Sequence, residues 1–335
     1  MIAIAVAMFG LPAFLDQGTA PREPFDERPL HALEKARPRV LLIGDSMLET
    51  RIDPHEINKL ASERWEVLSQ AGSSSAIWFL MMKNLIAAQS APPRVVIIFF
   101  RERQLTRPAQ RTGGGYRKTI QTYMRGSEPE IEKVLAASNQ RQQTWPERLS
   151  LALYPVQWRQ EAWRDKLQNR ALDIVASSKE FRAIREGTRE IFSLRNLRKD
   201  TGEDFESEDR AQRELEPKDE NFSTAITRSF LPAILEIARK KDIHLICFRV
   251  KGKPRATGEP GRASVEFLAY ERELRDYLER AGAQYVDESQ DADVTLRFYG
   301  SDDHVAAGRQ KEYTEMFWRK MSPRIPPAAG AAPDR

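Results

Sequence analysis

A chain of 335 residues can bury a full hydrophobic core and hold one large domain or two small ones. Its 53 basic residues are nearly balanced by 49 acidic ones, and the net charge of +4 gives no footprint for nucleic acid, which needs a clustered basic face. A lone cysteine, Cys247, excludes an intrachain disulfide and any multi-cysteine metal site. In the apolar run 243–250 it reads as a small buried hydrophobe.

The first fifteen residues, 1–15, are apolar and uncharged, and a Pro- and charge-rich stretch, 16–38, follows as a linker. The apolar segment is shorter than the roughly 20 residues that cross a bilayer and lacks a basic leader. It fits either a short core helix or a truncated export signal or membrane anchor. The polar, Pro-containing linker favours the anchor, which places the following domain outside the cytoplasm. At the other end, residues 322–335 are rich in Pro and Ala and read as a disordered tail.

Between these ends strand and helix patterns alternate. Residues 39–44 form a short apolar run ending on glycine, the mark of a buried strand. Residues 65–72 read as a second strand ending at Gly72, followed by a helix over 73–88. Residues 94–100 are the most apolar strand and belong at the centre, buried on both faces. A second block gives helix 227–240, strand 243–250, helix 264–281, strand 284–287 and a closing helix over 306–321. Strands separated by helices predict an α/β fold: a doubly wound, flavodoxin-like, mostly parallel sheet with helices on both faces, spanning 39–321.

Residues 106–222 interrupt that pattern as a helical insertion after the third strand, with helical periodicity over 130–137, 147–153, 158–176 and 181–198. Its Trp145, Tyr154, Trp158 and Trp163 either stack on sugar or, as is commoner, pack the insertion onto its host. Gly113-Gly114-Gly115 lacks the Lys-Ser/Thr of a phosphate loop and reads as a flexible loop. The acidic run 202–209 reads as an exposed loop.

Two short elements carry candidate chemistry. Gly44-Asp45-Ser46 lies just past the carboxyl end of the first strand, where open α/β sheets place their ligands. A serine there projects into a cleft as a nucleophile, or Asp45 and Ser46 merely cap the next helix. A serine nucleophile needs a base, and the chain has four histidines. His244 begins a buried strand, His31 lies in the linker, and His55 follows the serine too closely. His304 remains, in the loop opening the last helix and preceded by Asp302 and Asp303. There Ser301, Asp302 and Asp303 also suit a helix cap.

Gly44-Asp45-Ser46 after the first strand, Gly72 after the second and Asp302-Asp303-His304 before the last helix together resemble the SGNH (GDSL-type) hydrolase superfamily. The runs 44–54 and 99–106 resemble, more narrowly, membrane-associated SGNH-like proteins of bacterial surface-polysaccharide and teichoic-acid modification. The resemblance implies that Ser46 is the nucleophile, His304 the general base, and Asp302 the group that orients its ring. It implies an oxyanion hole lined by the N–H groups of Ser46 and Gly72. The chain departs from the family at two points. The acid commonly three residues before the histidine is Ser301 here, while Asp302 fits the closer spacing that resembles alginate O-acetylation proteins. The Asn usual after the third strand is absent, the chain reading Phe100-Arg101-Glu102. Arg101 then either supplies a charged oxyanion donor or pairs with Glu102.

The expected function is an extracytoplasmic acyl-ester hydrolase or O-acyltransferase, without metal or organic cofactor. Its substrate is a cell-surface or exported polysaccharide, and its partner a membrane-bound O-acyltransferase. The Lys251–Arg255 loop and the insertion would shape a groove for a long or anionic glycan. Two other readings stand beside it: a catalytically degenerate binding or assembly component of an envelope polysaccharide complex, and an intracellular esterase of broad range.

Overall fold

The computed structural model describes residues 24–107, 112, 114–139, 221–254, 264–300 and 303–327. Five strands form its centre: β1 (Val40–Gly44), β2 (Trp65–Ser69), β3 (Val95–Phe100), β4 (His244–Arg249) and β5 (Gln284–Asp287). They lie in the order β2-β1-β3-β4-β5, and every pairing is parallel. All five strands coincide with apolar runs legible in the sequence. β1 and β3 are buried along their whole length, as strands covered on both faces must be.

Strand alternation divides the core in two. Leu41, Ile43, Val96, Ile98 and Cys247 face one layer, and Val40, Leu42, Val95, Ile97 and Phe248 face the other. Residues of α1 (Arg28–Ala36), α4 (Ser75–Leu80), α5 (Gly114–Tyr123), α6 (Pro129–Asn139), α7 (Phe222–Thr227), α8 (Leu231–Lys240) and α9 (Val265–Arg280) join the first. Residues of α2 (Ser46–Arg51), α3 (Pro54–Leu60) and α10 (Gln310–Met321) join the second. Helices on both faces and a reversal of strand order between β1 and β3 define the doubly wound class. That reversal opens a crevice at the carboxyl ends of β1 and β3.

Several local expectations are corrected. The stretch read as a linker, 16–38, contains α1, whose Leu30 and Leu33 are buried in the core. With only these two apolar anchors in a polar segment, its amphipathic stripe is too thin to read beforehand. Gly114 and Gly115 open α5 rather than lying in a loop. The helix expected over 227–240 starts only at Leu231, with Pro232 in the first turn of α8, and a separate short helix, α7, ends at Thr227 before it. The helix expected from Ser73 starts at Ser75 and continues from Met81 to Ile86 as a π-helix. The tail read as disordered from 322 begins with a 3₁₀ turn, Ser322–Arg324, and Arg39 donates to the Pro326 carbonyl. Residues 1–15, most of the insertion with its four singled-out aromatics, and the acidic run 202–209 lie outside the described residues. No helix among the described residues is long and apolar enough to cross a membrane.

α4 and its π-helical extension are buried on all sides, because α1, α5 and α8 pack over the surface that an outer helix normally gives to water. The described part of the insertion is fastened there by a polar clasp. The Asn84 amide donates to the Tyr123 carbonyl and to Glu128 Oε1, both at 2.8 Å. Lys83 Nζ pairs with Glu128 at 2.8 Å. Asn84→Ala takes the amide donor from the Tyr123 carbonyl and one of the donors from the buried Glu128 carboxylate, and urea unfolding should show a loss of about 1–3 kcal/mol. An unchanged midpoint would mean that the clasp adds nothing to docking.

Candidate active site

The turn from β1 into α2 begins with a glycine that has no room for a side chain. A Cβ on Gly44 would lie 2.9 Å from Leu48 Cβ and 3.0 Å from Phe99 Cβ. Asp45 then adopts an extended conformation as N-cap of α2, its carboxylate accepting the Met47 N–H at 2.9 Å. Ser46 therefore occupies the first helical position, at the mouth of the crevice. Asp45 alone takes the capping role, and Ser46 stands one residue past the cap.

Ser46 Oγ lies 2.9 Å from His304 Nε2. The two residues are 258 positions apart in the sequence. The histidine sits in a loop whose base is a bridge between Tyr299 and Val305, with Gly300 N–H donating to the His304 carbonyl at 3.1 Å. The other histidines are elsewhere, as expected: His31 and His55 are exposed on α1 and α3, and His244 starts β4.

Asp303 does not cap the last helix. That helix starts at Gln310 with Arg309 at its N-cap, too late for Ser301–Asp303 to serve. Both Asp303 carboxylate oxygens are engaged elsewhere: Oδ2 pairs with Arg101 Nη1 at 3.1 Å and Oδ1 accepts the Lys253 N–H at 2.8 Å. Asp302, the acid expected to orient the imidazole, lies outside the described residues.

Gly72 lies in a turn tied to the serine's own strand. The Gly44 carbonyl accepts both Gln70 N–H at 3.0 Å and Ser73 Oγ at 3.1 Å. Gly72 has φ +74°, and a Cβ there would meet Tyr116 Cε1 at 2.5 Å, so only glycine fits. Among the described residues the N–H groups of Ser46 and Gly72 donate to no backbone acceptor. For Ser46 this follows from its place at the helix start.

The exit of β3 supplies a side chain that the sequence reading did not single out. That side chain is Gln104; Arg101, which was singled out, pairs with Asp303 rather than with Glu102, which is exposed and held at φ +43°. Buried Gln104 accepts the Arg101 N–H through Oε1 at 2.7 Å and donates Nε2 to Asp45 Oδ2 at 3.2 Å. It joins the β3 exit to the cap beside Ser46. A glutamine 59 positions from its partner leaves no local pattern to find. The basic loop after β4 also turns inward: Lys251 Nζ donates to the Asp291 carbonyl and Lys253 Nζ to the Gly300 carbonyl. These contacts brace the histidine loop.

No protein-family model matches the chain, and no curated protein sequence matches it significantly. Among solved structures, a GDSL-like lipase from Bacteroides thetaiotaomicron is similar at 10% identity, over 87% of this chain and 91% of that one, with a TM-score of 0.33.

The Gln104 bridge has a pH signature. Gln104→Glu sets a second carboxylate against Asp45 and raises the pKa of the pair above unfolded values. The variant should be less stable than the parent at neutral pH by about 1–3 kcal/mol. The deficit should shrink as pH falls toward about 4, where the added acid protonates and donates as the amide did. Urea unfolding across that range checks it; a deficit independent of pH counts against the bridge.

Proposed function

We propose that this protein is a serine acyl-ester hydrolase or O-acyltransferase. The observation that carries the reading is the 2.9 Å contact between Ser46 Oγ and His304 Nε2 at the sheet's switch point. In this reaction Ser46 Oγ attacks the acyl carbonyl while its proton passes to His304 Nε2. The tetrahedral intermediate collapses, the C–O bond to the alcohol breaks, and His304 returns the proton to the leaving oxygen. The acyl-Ser46 ester is then cleaved by water, giving hydrolysis, or by an acceptor hydroxyl, giving transfer. His304 again takes and returns the proton. The Ser46 and Gly72 N–H groups are the proposed oxyanion donors, with the nearby Arg101 guanidinium adding positive charge. Asp302 is the proposed partner of His304 Nδ1.

The substrate proposed is an O-acylated polysaccharide outside the cytoplasm, worked on beside a membrane-bound acyltransferase. Its support is the apolar segment 1–15 and the resemblance of the runs 44–54 and 99–106 to envelope-modifying proteins. A second reading, a non-catalytic assembly component, draws on one observation: Arg101 stands where the family has its oxyanion Asn, and it is already paired with Asp303.

Ser46→Ala should abolish cleavage of p-nitrophenyl acetate and labelling by a fluorophosphonate probe, with the melting temperature unchanged. Activity retained in the variant would overturn the mechanism. No labelling of folded wild-type protein would favour the assembly reading.

A further inference from the structure

Arg51, at the end of α2, is a charged side chain that the proposed reaction does not use. Among the described residues it is the only basic side chain that is fully buried. Its Nη2 donates to the Lys251 carbonyl at 2.7 Å and lies 3.4 Å from the Asp303 carbonyl, while Nη1 lies 3.4 Å from the Met47 carbonyl. The guanidinium is set 5.5 Å from the Tyr313 ring and 5.7 Å from the Tyr299 ring. Tyr299 Oη donates to the same Lys251 carbonyl at 2.9 Å, and Tyr313 Oη to Glu288 at 2.6 Å. Burial works against the charge. The two phenols and the Glu288 carboxylate outweigh it, so Arg51 stays protonated.

A buried cation is a costly way to fill space, and among the described residues its Nε has no acceptor. A methionine of similar length would pack without that penalty. What methionine cannot do is hold three main-chain oxygens from separate segments in one planar fork. Those segments are the serine helix, the exit of β4 and the residue immediately before His304. Alongside the Ser46–His304 contact, this fork is a direct polar link among the described residues from the serine helix to the histidine loop.

We propose that Arg51 is a positioning residue that sets the Ser46–His304 separation by fixing the serine helix to the main chain at Asp303 and Lys251. The proposal rests on the catalytic reading of that pair. Misplacing a reacting group by about 1 Å can cost on the order of 100-fold in rate. Arg51→Met should therefore lower kcat for p-nitrophenyl acetate by about that factor with KM unchanged. Arg51→Lys keeps the charge but not the fork, and should lose less. Wild-type kcat in folded Arg51→Met, or a rise in KM alone, overturns the proposal. Should Arg51→Met not fold, wild-type kcat in Arg51→Lys does the same.

Crystal structures of the wild type and Arg51→Lys separate this proposal from the reaction itself. Should the wild type cleave no ester while its Ser46–His304 contact stands, the catalytic reading fails, and the positioning role is read from the distance alone. A separation beyond about 3.5 Å in Arg51→Lys, outside hydrogen-bond range, supports it, and an unchanged separation refutes it.

Discussion

The arrangement depends on how closely β1 can approach its neighbours at Gly44. With no Cβ, the strand ends against Leu48 and Phe99 at distances that no other residue permits. That approach lets the chain turn at once from strand to helix. It places Asp45 as cap and Ser46 as first helical residue at the edge of the crevice. The Gly44 carbonyl, freed at the strand end, takes hydrogen bonds from Gln70 and Ser73 and brings the Gly72 turn to the same edge. One steric constraint thus sets both the serine and the turn proposed to stabilise its intermediate.

Around that turn, polar side chains do what loop backbone alone cannot. Loops at the ends of parallel strands are the least constrained parts of a doubly wound sheet. Here each is hooked to another by a side chain: buried Gln104 joins the β3 exit to the Asp45 cap, and half-exposed Asp303 joins the β3 exit to the β4 exit. Arg51 joins the β4 exit to the serine helix. Glu288, fully buried, receives Tyr313 Oη and the Lys251 N–H and pairs with Lys320. Fixed dipoles and charges of this kind need little reorganisation when charge develops nearby.

How much of this was legible follows from where each signal lies along the chain. β1, β3 and β4 stood out as short apolar runs, because burial on both faces lets hydrophobicity persist without alternation, whereas β2 and β5 at the sheet edges are only partly buried. Ser46 and His304 stood out because glycine marks a strand end and histidines are few. α1 did not, having two buried leucines in a polar stretch. Gln104 and Arg51 were missed for a different reason. Their partners lie up to 252 positions away, and a side chain satisfied by distant main-chain carbonyls leaves no periodicity or motif. Arg101 was singled out as an oxyanion donor or a partner of Glu102; its actual partner, Asp303, lies 202 positions away and leaves no local signal.

The charges beside the serine bear on the proposed chemistry more than any one contact does. Asp45 and Asp303 bring two carboxylates close to the serine and histidine; Arg101 and Arg51 bring two guanidiniums to the same loops. Attack by Ser46 creates an oxyanion and an imidazolium together, which leaves the sum unchanged. A site that stays balanced through the proton transfer need not admit counter-ions or water to compensate, and buried dipoles keep their strength only where water is excluded. In the Asp303–Arg101 pair each charge offsets the other, so the pair adds nothing to that sum. Were Asp303 instead the acid behind His304, Arg101 would stand uncompensated beside the serine, and the Lys253 loop would lose its anchor.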